Sequence, residues 1–401
     1  MAAYLIDWLS LAARWLHLIT GIAWIGASFY FVWLDNHLLP PRDPKDSARG
    51  IGGEVWSVHG GGFYQAQKFK VAPAFLPEPL HWFKWEAYWT WMSGTFLLAL
   101  IYWYGAEIYL IDPTVAALSK PVAIAIGVGT LVLGWLVYDV LCKSRLGQND
   151  RLLGVAVCLF TVLVAYGLCQ VFSGRGAFIH YGAMLGTIMV ANVFFVIMPG
   201  QRELVSATEA GRSPDPTPGL KAKQRSVHNT YFTLPVLFVM ISNHYAMTYG
   251  HAYNWLILLA ISLIGALIRV YFVARHKGPA SPWPLLAAAL LTLALVAALA
   301  PRTTPDTGQD TGNTSVSFSQ VQQIVTQRCT VCHATHPSQP GFTAPPKGVV
   351  FDTPQDITGQ ALTIHQQTVV SKAMPIGNLS GMSDAERALI DQWFQAGATA
   401  E

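Results

Sequence analysis

The stretch QRCTVCHATH, residues 327–336, sets Cys329, Cys332 and His333 in a Cys-x-x-Cys-His arrangement. Two thiols bracketing one helical turn are spaced to bond the vinyl groups of a haem, and the next residue places an imidazole under the iron. A zinc knuckle or a redox dithiol is the other reading of such a pair. Zinc would want two more Cys or His ligands, for which His336 and His365 are the only soft candidates. The adjacent His favours covalent haem c. Met374 in SKAMPIGNLSGMS is the expected sixth ligand, because a Met held before Pro on an irregular loop can present its thioether to iron. Met382 is the runner-up, and its place just before a Ser383/Glu386 capping box suits a structural role.

Two further constellations lie upstream. His17, His180 and His244 fall inside or near the ends of long apolar runs, where an ionisable group is a functional candidate, here as a ligand to a b-type haem; the plainer reading is a hydrogen bond to a neighbouring helix. The segments EVWSVHGGGFYQAQKF, HWFKWEAYWTWMSG and KQRSVHNTYFTLP gather the second set. Gly60 and Gly61 allow close backbone approach to a ligand. Lys84, Arg225 and Asn229 supply donors, and Tyr64 supplies a flat surface. Glu86, His59 and His228 are candidate general bases. Together they suit a planar, polar, anionic molecule, although aromatic and basic residues at span boundaries also serve as interfacial anchors and positive-inside charges.

The elements that must position these groups follow from composition. The chain has 401 residues, 52% of them hydrophobic and only 12% charged, against ~25% charged in soluble domains. That deficit predicts an all-α polytopic membrane bundle surrounded by lipid. A net charge of +3 without a basic face excludes a nucleic-acid partner. Eight stretches approach the ~20 residues that cross a hydrocarbon core, near 10–34, 85–110, 120–141, 152–173, 178–198, 231–248, 252–274 and 283–300. The first lacks a basic n-region and a cleavage site, so it is expected to be retained as a span. Residues 1–300 thus form the membrane domain, 301–315 a Pro/Thr/Gly/Asp linker, and 316–401 a small soluble domain.

Arg and Lys concentrate in the odd-numbered loops, among them Arg42, Lys70, Arg145, Arg202 and Arg275. Those loops are predicted to be cytoplasmic, with both termini and the soluble domain in the periplasm of a bacterial inner membrane. Covalent c-haem attachment requires the same side. Cys142, Cys158 and Cys169 are read as inert apolar residues, and no P-loop, Rossmann or flavin pattern occurs.

The tail resembles class I cytochrome c over its helix, CxxCH, Met loop and closing helix with Trp393. WLHLITGIAWIGASFYF, HGGGFY, HWFKWEAYWTWMSG and RSVHNTYFTLPVLFVMISNHY, followed by that tail, resemble the bacterial membrane-bound urate hydroxylases, also called membrane urate oxidases, over essentially the whole chain. The resemblance implies oxidation of urate to 5-hydroxyisourate with water as the oxygen source and without hydrogen peroxide. Electrons would pass to the cytochrome domain and a respiratory acceptor such as a terminal oxidase. The first span also looks like those of small haem-binding membrane proteins, which favours His17 as an iron ligand. Urate arises in the cytoplasm and the acceptor lies across a ~30 Å core, so the expected relay is a b haem held by His17 with His180 or His244. An outward-facing urate site would remove that need. A quinol-to-cytochrome module and a redox sensor are the competing readings.

Overall fold

The computed structural model describes residues 2–400 apart from 276–277, 301–315, 341 and 343. The expected linker, 301–315, therefore lies outside the described residues. From the N-terminus come α1 (Ala2–His37), α2 (Pro44–Ala48), β1 (Ile51–His59), β2 (Gly62–Phe69), α3 (Trp85–Leu98), α4 (Ala106–Tyr109), α5 (Lys120–Lys143), α6 (Asp150–Cys169) and α7 (Gly174–Asn192). Then follow α8 (Met198–Glu209), α9 (Pro216–Ser242), α10 (Ala246–Tyr249), α11 (Asn254–Arg275) and α12 (Trp283–Ala298). The tail contains α13 (Phe318–Arg328), α14 (Pro354–Gly359), α15 (Ala361–His365) and α16 (Asp384–Gln395).

Several helix starts are set by side chains that take up free N–H groups. Asn149 accepts from Arg151 and Leu152 at α6, Ser173 from Gly176 at α7, and Asp215 from Thr217 at α9, where Pro216 fills the first position. Three π-helical turns occur among the described residues: Ala99–Trp103 prolongs α3, Val193–Ile197 joins α7 to α8, and Gln366–Val370 follows α15.

Every expected apolar stretch is mainly helical, but the eight are not equivalent. Among the described residues, five helices are long and apolar enough to cross a membrane: Trp8–His37, Lys120–Lys143, Asp150–Cys169, Gly174–Glu209 and Asn254–Arg275. The stretch at 85–110 divides into α3, a π turn and α4; the first part of α9 carries Lys221, Lys223 and Arg225; and α12 has 16 residues. At ~1.5 Å rise per residue, α12 spans only about 24 Å.

A second correction concerns the all-α expectation. The first loop folds as an antiparallel hairpin in which Val55 pairs with Ala66, Ser57 with Tyr64 and His59 with Gly62. Gly60 and Gly61, at φ +57 and +81, form its two-residue turn. Positive φ at both central positions is the geometry that lets a two-residue turn match the strand twist. The glycines therefore serve the hairpin, and a Cβ on either would meet no atom within 4 Å.

The core centres on α7, most of whose residues are buried. Small residues let its neighbours close in, Gly134 of α5 against Met184 and Gly182 of α7 itself against Val239 of α9. Helix α1 runs antiparallel to α3, with His17 beside Thr90 and Ser93 and Phe31 on Phe83. In the tail α13 meets α16 through Phe318 and Trp393, with ring centroids 6.1 Å apart. Val321, Ile324 and Val325 are buried in the same small core.

Candidate functional site

Residues Ala222, Arg225, Asn229, Thr233 and Val236 recur every three or four positions, and all are buried on one face of α9. That face meets α5 and α7, which each contribute a polar residue from an apolar run. The Arg225 guanidinium donates to Asp139 at 2.8 Å and to the Asn192 side-chain oxygen at 3.3 Å. Asn192 donates onward to Tyr138 at 3.1 Å and to the Asn229 oxygen at 2.9 Å, and Asn229 donates to the Met189 carbonyl at 3.0 Å. His228 Nδ1 lies 2.7 Å from the Tyr138 hydroxyl. Arg225 also lies over the rings of Trp135 and Tyr138. The network is closed: its buried cation has a carboxylate and its amides have partners.

Three of the sequence-predicted residues thus come together: Arg225, His228 and Asn229. Tyr138, Asp139 and Asn192 were missed. The available signal was a lone Asp in GWLVYDVLC and a lone Asn in MVANVFF, polar groups inside apolar runs.

The other residues expected at that site are placed differently. Lys84 precedes α3, with its ammonium 5.6 Å from the Trp85 ring centroid. Glu86 stands in the first turn of α3, and its Oε2 is buried without a hydrogen-bond partner. His59, Gly60, Gly61 and Tyr64 are exposed on the hairpin. No hydrogen bond or ring contact links these four to Arg225, His228 or Asn229. A cavity of about 510 Å³ at the hairpin base is lined by Arg42, Asp43, Asp46, Glu54, Trp56 and Gln65. Three carboxylates against one arginine suit an anion poorly.

A second polar cluster occupies the other end of α7. Arg175 Nε donates to the Tyr102 hydroxyl at 3.1 Å and to the Asn243 oxygen at 3.0 Å, and its guanidinium lies over the rings of Tyr102 and Tyr109. Arg175 and Asn192 are separated along one helix by 17 residues, about 26 Å. His180, fully buried, commits both ring nitrogens: Nδ1 donates to the Gly176 carbonyl at 2.8 Å, and Nε2 accepts from Trp103 at 3.2 Å. Gly127 makes room for it, since a Cβ there would come within 2.7 Å of Nε2.

His17 differs. Its Nδ1 donates toward the Thr90 carbonyl at 3.0 Å, its Nε2 has no hydrogen bond, and Gly94 leaves a bay for the ring. Among the described residues it is the expected b-haem ligand that combines a partly buried ring with an unbonded Nε2. His244 is exposed in the turn after α9. His17 packs near residues 90–94 and His180 against Trp103, so they lie at different levels of the α3 helix and its extension.

In the tail, Cys329 caps α13 and Cys332 and His333 follow in the next turn. His333 Nδ1 donates to the Val349 carbonyl at 3.0 Å, leaving Nε2 as a lone-pair donor. Burial lowers its basicity, against the opposing pull of Val349, so the neutral imidazole that ligates metal is favoured. Burial pushes the Cys329 thiol up to about 12. Cys329 belongs to an apolar cluster with Phe351, Ile357, Ile364 and Trp393. This donor set and apolar surround fit covalent haem c. Met374 is half-buried on its loop, whereas Met382 is 3% exposed in the tail core. The Met374 loop also meets the bundle: Gly250 packs on the Ser371 carbonyl, and a Cβ at Gly377 would lie 3.2 Å from the Ile111 carbonyl.

No curated protein and no solved structure matches the chain. Residues 3–300, which hold both polar clusters, match the urate oxidase N-terminal family, and the chain belongs to that family.

Proposed function

We propose that the protein oxidises urate to 5-hydroxyisourate and passes the electrons to a c haem on its own tail. Urate and water give 5-hydroxyisourate, two protons and two electrons, so no oxygen is consumed and no hydrogen peroxide forms. The observation that carries this reading is the union, in one chain, of a urate oxidase family domain with a tail bearing Cys329, Cys332 and His333, docked on the bundle through its Met374 loop. When bound, haem c held by those three residues and Met374 would supply one-electron acceptance.

The chain's own groups divide the remaining work. Arg225 and Asn229 spend their hydrogen bonds on Asp139, Asn192 and Met189, so they hold α5, α7 and α9 in register at the substrate end. Glu86, with a buried carboxylate oxygen that no donor satisfies, takes a proton from water or from a urate N–H. His228, bonded to Tyr138, passes protons on. Lys84 attracts the anion at the rim. His17, with Nε2 free, would hold an intermediate b haem, which would supply an electron relay along the ~26 Å that separates the two clusters. The membrane in question is a bacterial inner membrane, with the tail on the periplasmic side and a terminal oxidase or similar acceptor downstream.

The test is anaerobic addition of urate to purified, oxidised full-length protein while the c-haem spectrum is recorded. Reduction is expected, with 5-hydroxyisourate formed and oxygen-18 incorporated from labelled water. A flat spectrum with intact haem overturns the reading. Reduction by quinol instead would identify a quinol-to-cytochrome module.

A further inference from the structure

The buried face of α11 carries Leu258, Ser262, Gly265 and Arg269, spaced at helical repeats. Gly265 closes α11 onto α9, for a Cβ there would lie 3.0 Å from the Leu234 Cβ and 3.3 Å from the Pro235 Cδ. The next turn therefore brings Arg269 to the depth of Tyr231. Its guanidinium carbon lies 4.2 Å from the Phe29 ring centroid, at a junction of α1, α9 and α11.

Arg269 is 7% exposed and, among the described residues, forms no hydrogen bond or ion pair; its Nε is buried without a partner. The other two buried arginines are satisfied. Arg225 has Asp139, and Arg387 donates to the Thr368 and Met374 carbonyls. A buried cation without a counter-charge is strongly unfavourable, so the site calls for an anion.

Among the described residues, two acceptors near the same depth each miss a donor. Pro235 has no N–H to give the Tyr231 carbonyl, which leaves the α9 ladder at this level. Glu86 is the other. Gly21 of α1 faces Thr90 and Phe31 faces Phe83, which sets Glu86 between those contacts, within about one helical turn of Phe29. One buried cation with unsatisfied acceptors complements a ligand that carries a negative edge and N–H donors.

We propose that Arg269 is the anion anchor of the substrate site, taking the charge of a planar heterocyclic monoanion at the α1/α9/α11 junction, with Phe29 against the guanidinium and Glu86 on the far wall. The assignment rests on the urate reading above and deepens it. Arg225 is then the structural arginine of this end, and Arg269 the one that meets substrate.

Equilibrium binding of radiolabelled urate and of a neutral oxopurine to the detergent-solubilised full-length haem protein tests this. Wild-type protein should bind urate, and Arg269→Gln should weaken it about 10- to 100-fold, the loss of one charge-assisted hydrogen bond. Binding of the neutral oxopurine should hold within about 2-fold, since a general packing defect would weaken both ligands. Arg269→Lys, which keeps the charge without the fork, should fall between and serves where the Gln variant does not accumulate. Unchanged urate affinity in both variants, with wild-type binding and an intact c-haem spectrum, overturns the anchor and leaves the urate reading standing. Wild-type protein that neither binds urate nor is reduced by it overturns both. Native mass spectrometry supplies the lipid arm: loss of co-purifying phosphatidylglycerol from Arg269→Gln at unchanged urate affinity assigns the arginine to a lipid phosphate and overturns the proposal.

Discussion

Arg225 and Arg175 stand at opposite ends of the helix bundle in similar surroundings. Each lies over two aromatic rings and each reaches an asparagine oxygen. The difference is the counter-charge. Arg225 has Asp139 at 2.8 Å, whereas Arg175 has only the neutral Tyr102 and Asn243. The tail repeats the contrast, because Arg328 pairs with Glu386 at 2.9 Å while Arg387 is held by backbone carbonyls. In both units the carboxylate-paired arginine locks helices together. The other lies toward the junction of bundle and tail, where the Met374 loop sits.

The contrast can be broken most forcefully at Asp139. Asp139→Ala strands a buried guanidinium, so stability in detergent should fall by about 3–5 kcal/mol, seen as a lower thermal midpoint or loss of folded protein. Arg175→Gln should cost only about 1 kcal/mol, because the Tyr102 hydroxyl still donates to Asn243 at 3.0 Å and no group is orphaned. Equal losses from the two variants would show that the counter-charge is not what separates the two ends.

The smallest effect belongs to the tail. Burial alone would raise the Glu386 carboxyl, but the Ser383 backbone N–H and Arg328 outweigh it and hold it below the ordinary carboxylate range. A depressed carboxylate stabilises the fold above its unfolded value, near ~4.3, and that contribution is lost as pH falls through the folded value. Glu386→Gln should cost about 1 kcal/mol or less at neutral pH and should flatten the acid limb of tail unfolding followed by circular dichroism. An unchanged acid limb would place the acid-sensitive group elsewhere.

What was legible in the sequence was local. Apolar runs marked the helices, the Ser383/Glu386 capping box is present as read, and the segment KQRSVHNTYFTLP brought Arg225, His228 and Asn229 forward together. What was not legible depended on pairing between distant segments. Asp139 and Asn192 gain their roles only when α5 and α7 meet α9, and nothing local announces the partner. The hairpin was hidden for another reason. Three glycines after His59 suit a ligand-binding loop as well as a tight turn, and only the pairing of Val55, Ser57 and His59 with the facing strand decides it. Gly265, which brings Arg269 against α9, is likewise silent until the partner helix is in place.

The π-helical turn at Ala99–Trp103 bears on how this chain tolerates length changes. Such a turn is one residue wider than an α-turn, so it behaves as a stored single-residue insertion. Deleting one residue there would restore a plain α-helix at little cost to the backbone and leave the flanking segments in register, yet it would re-aim the side chains within the turn itself. Trp103 would leave His180, and Tyr102 would leave Arg175. The reading frame of this helix, more than the identity of any one of its side chains, therefore keeps the Arg175 cluster assembled.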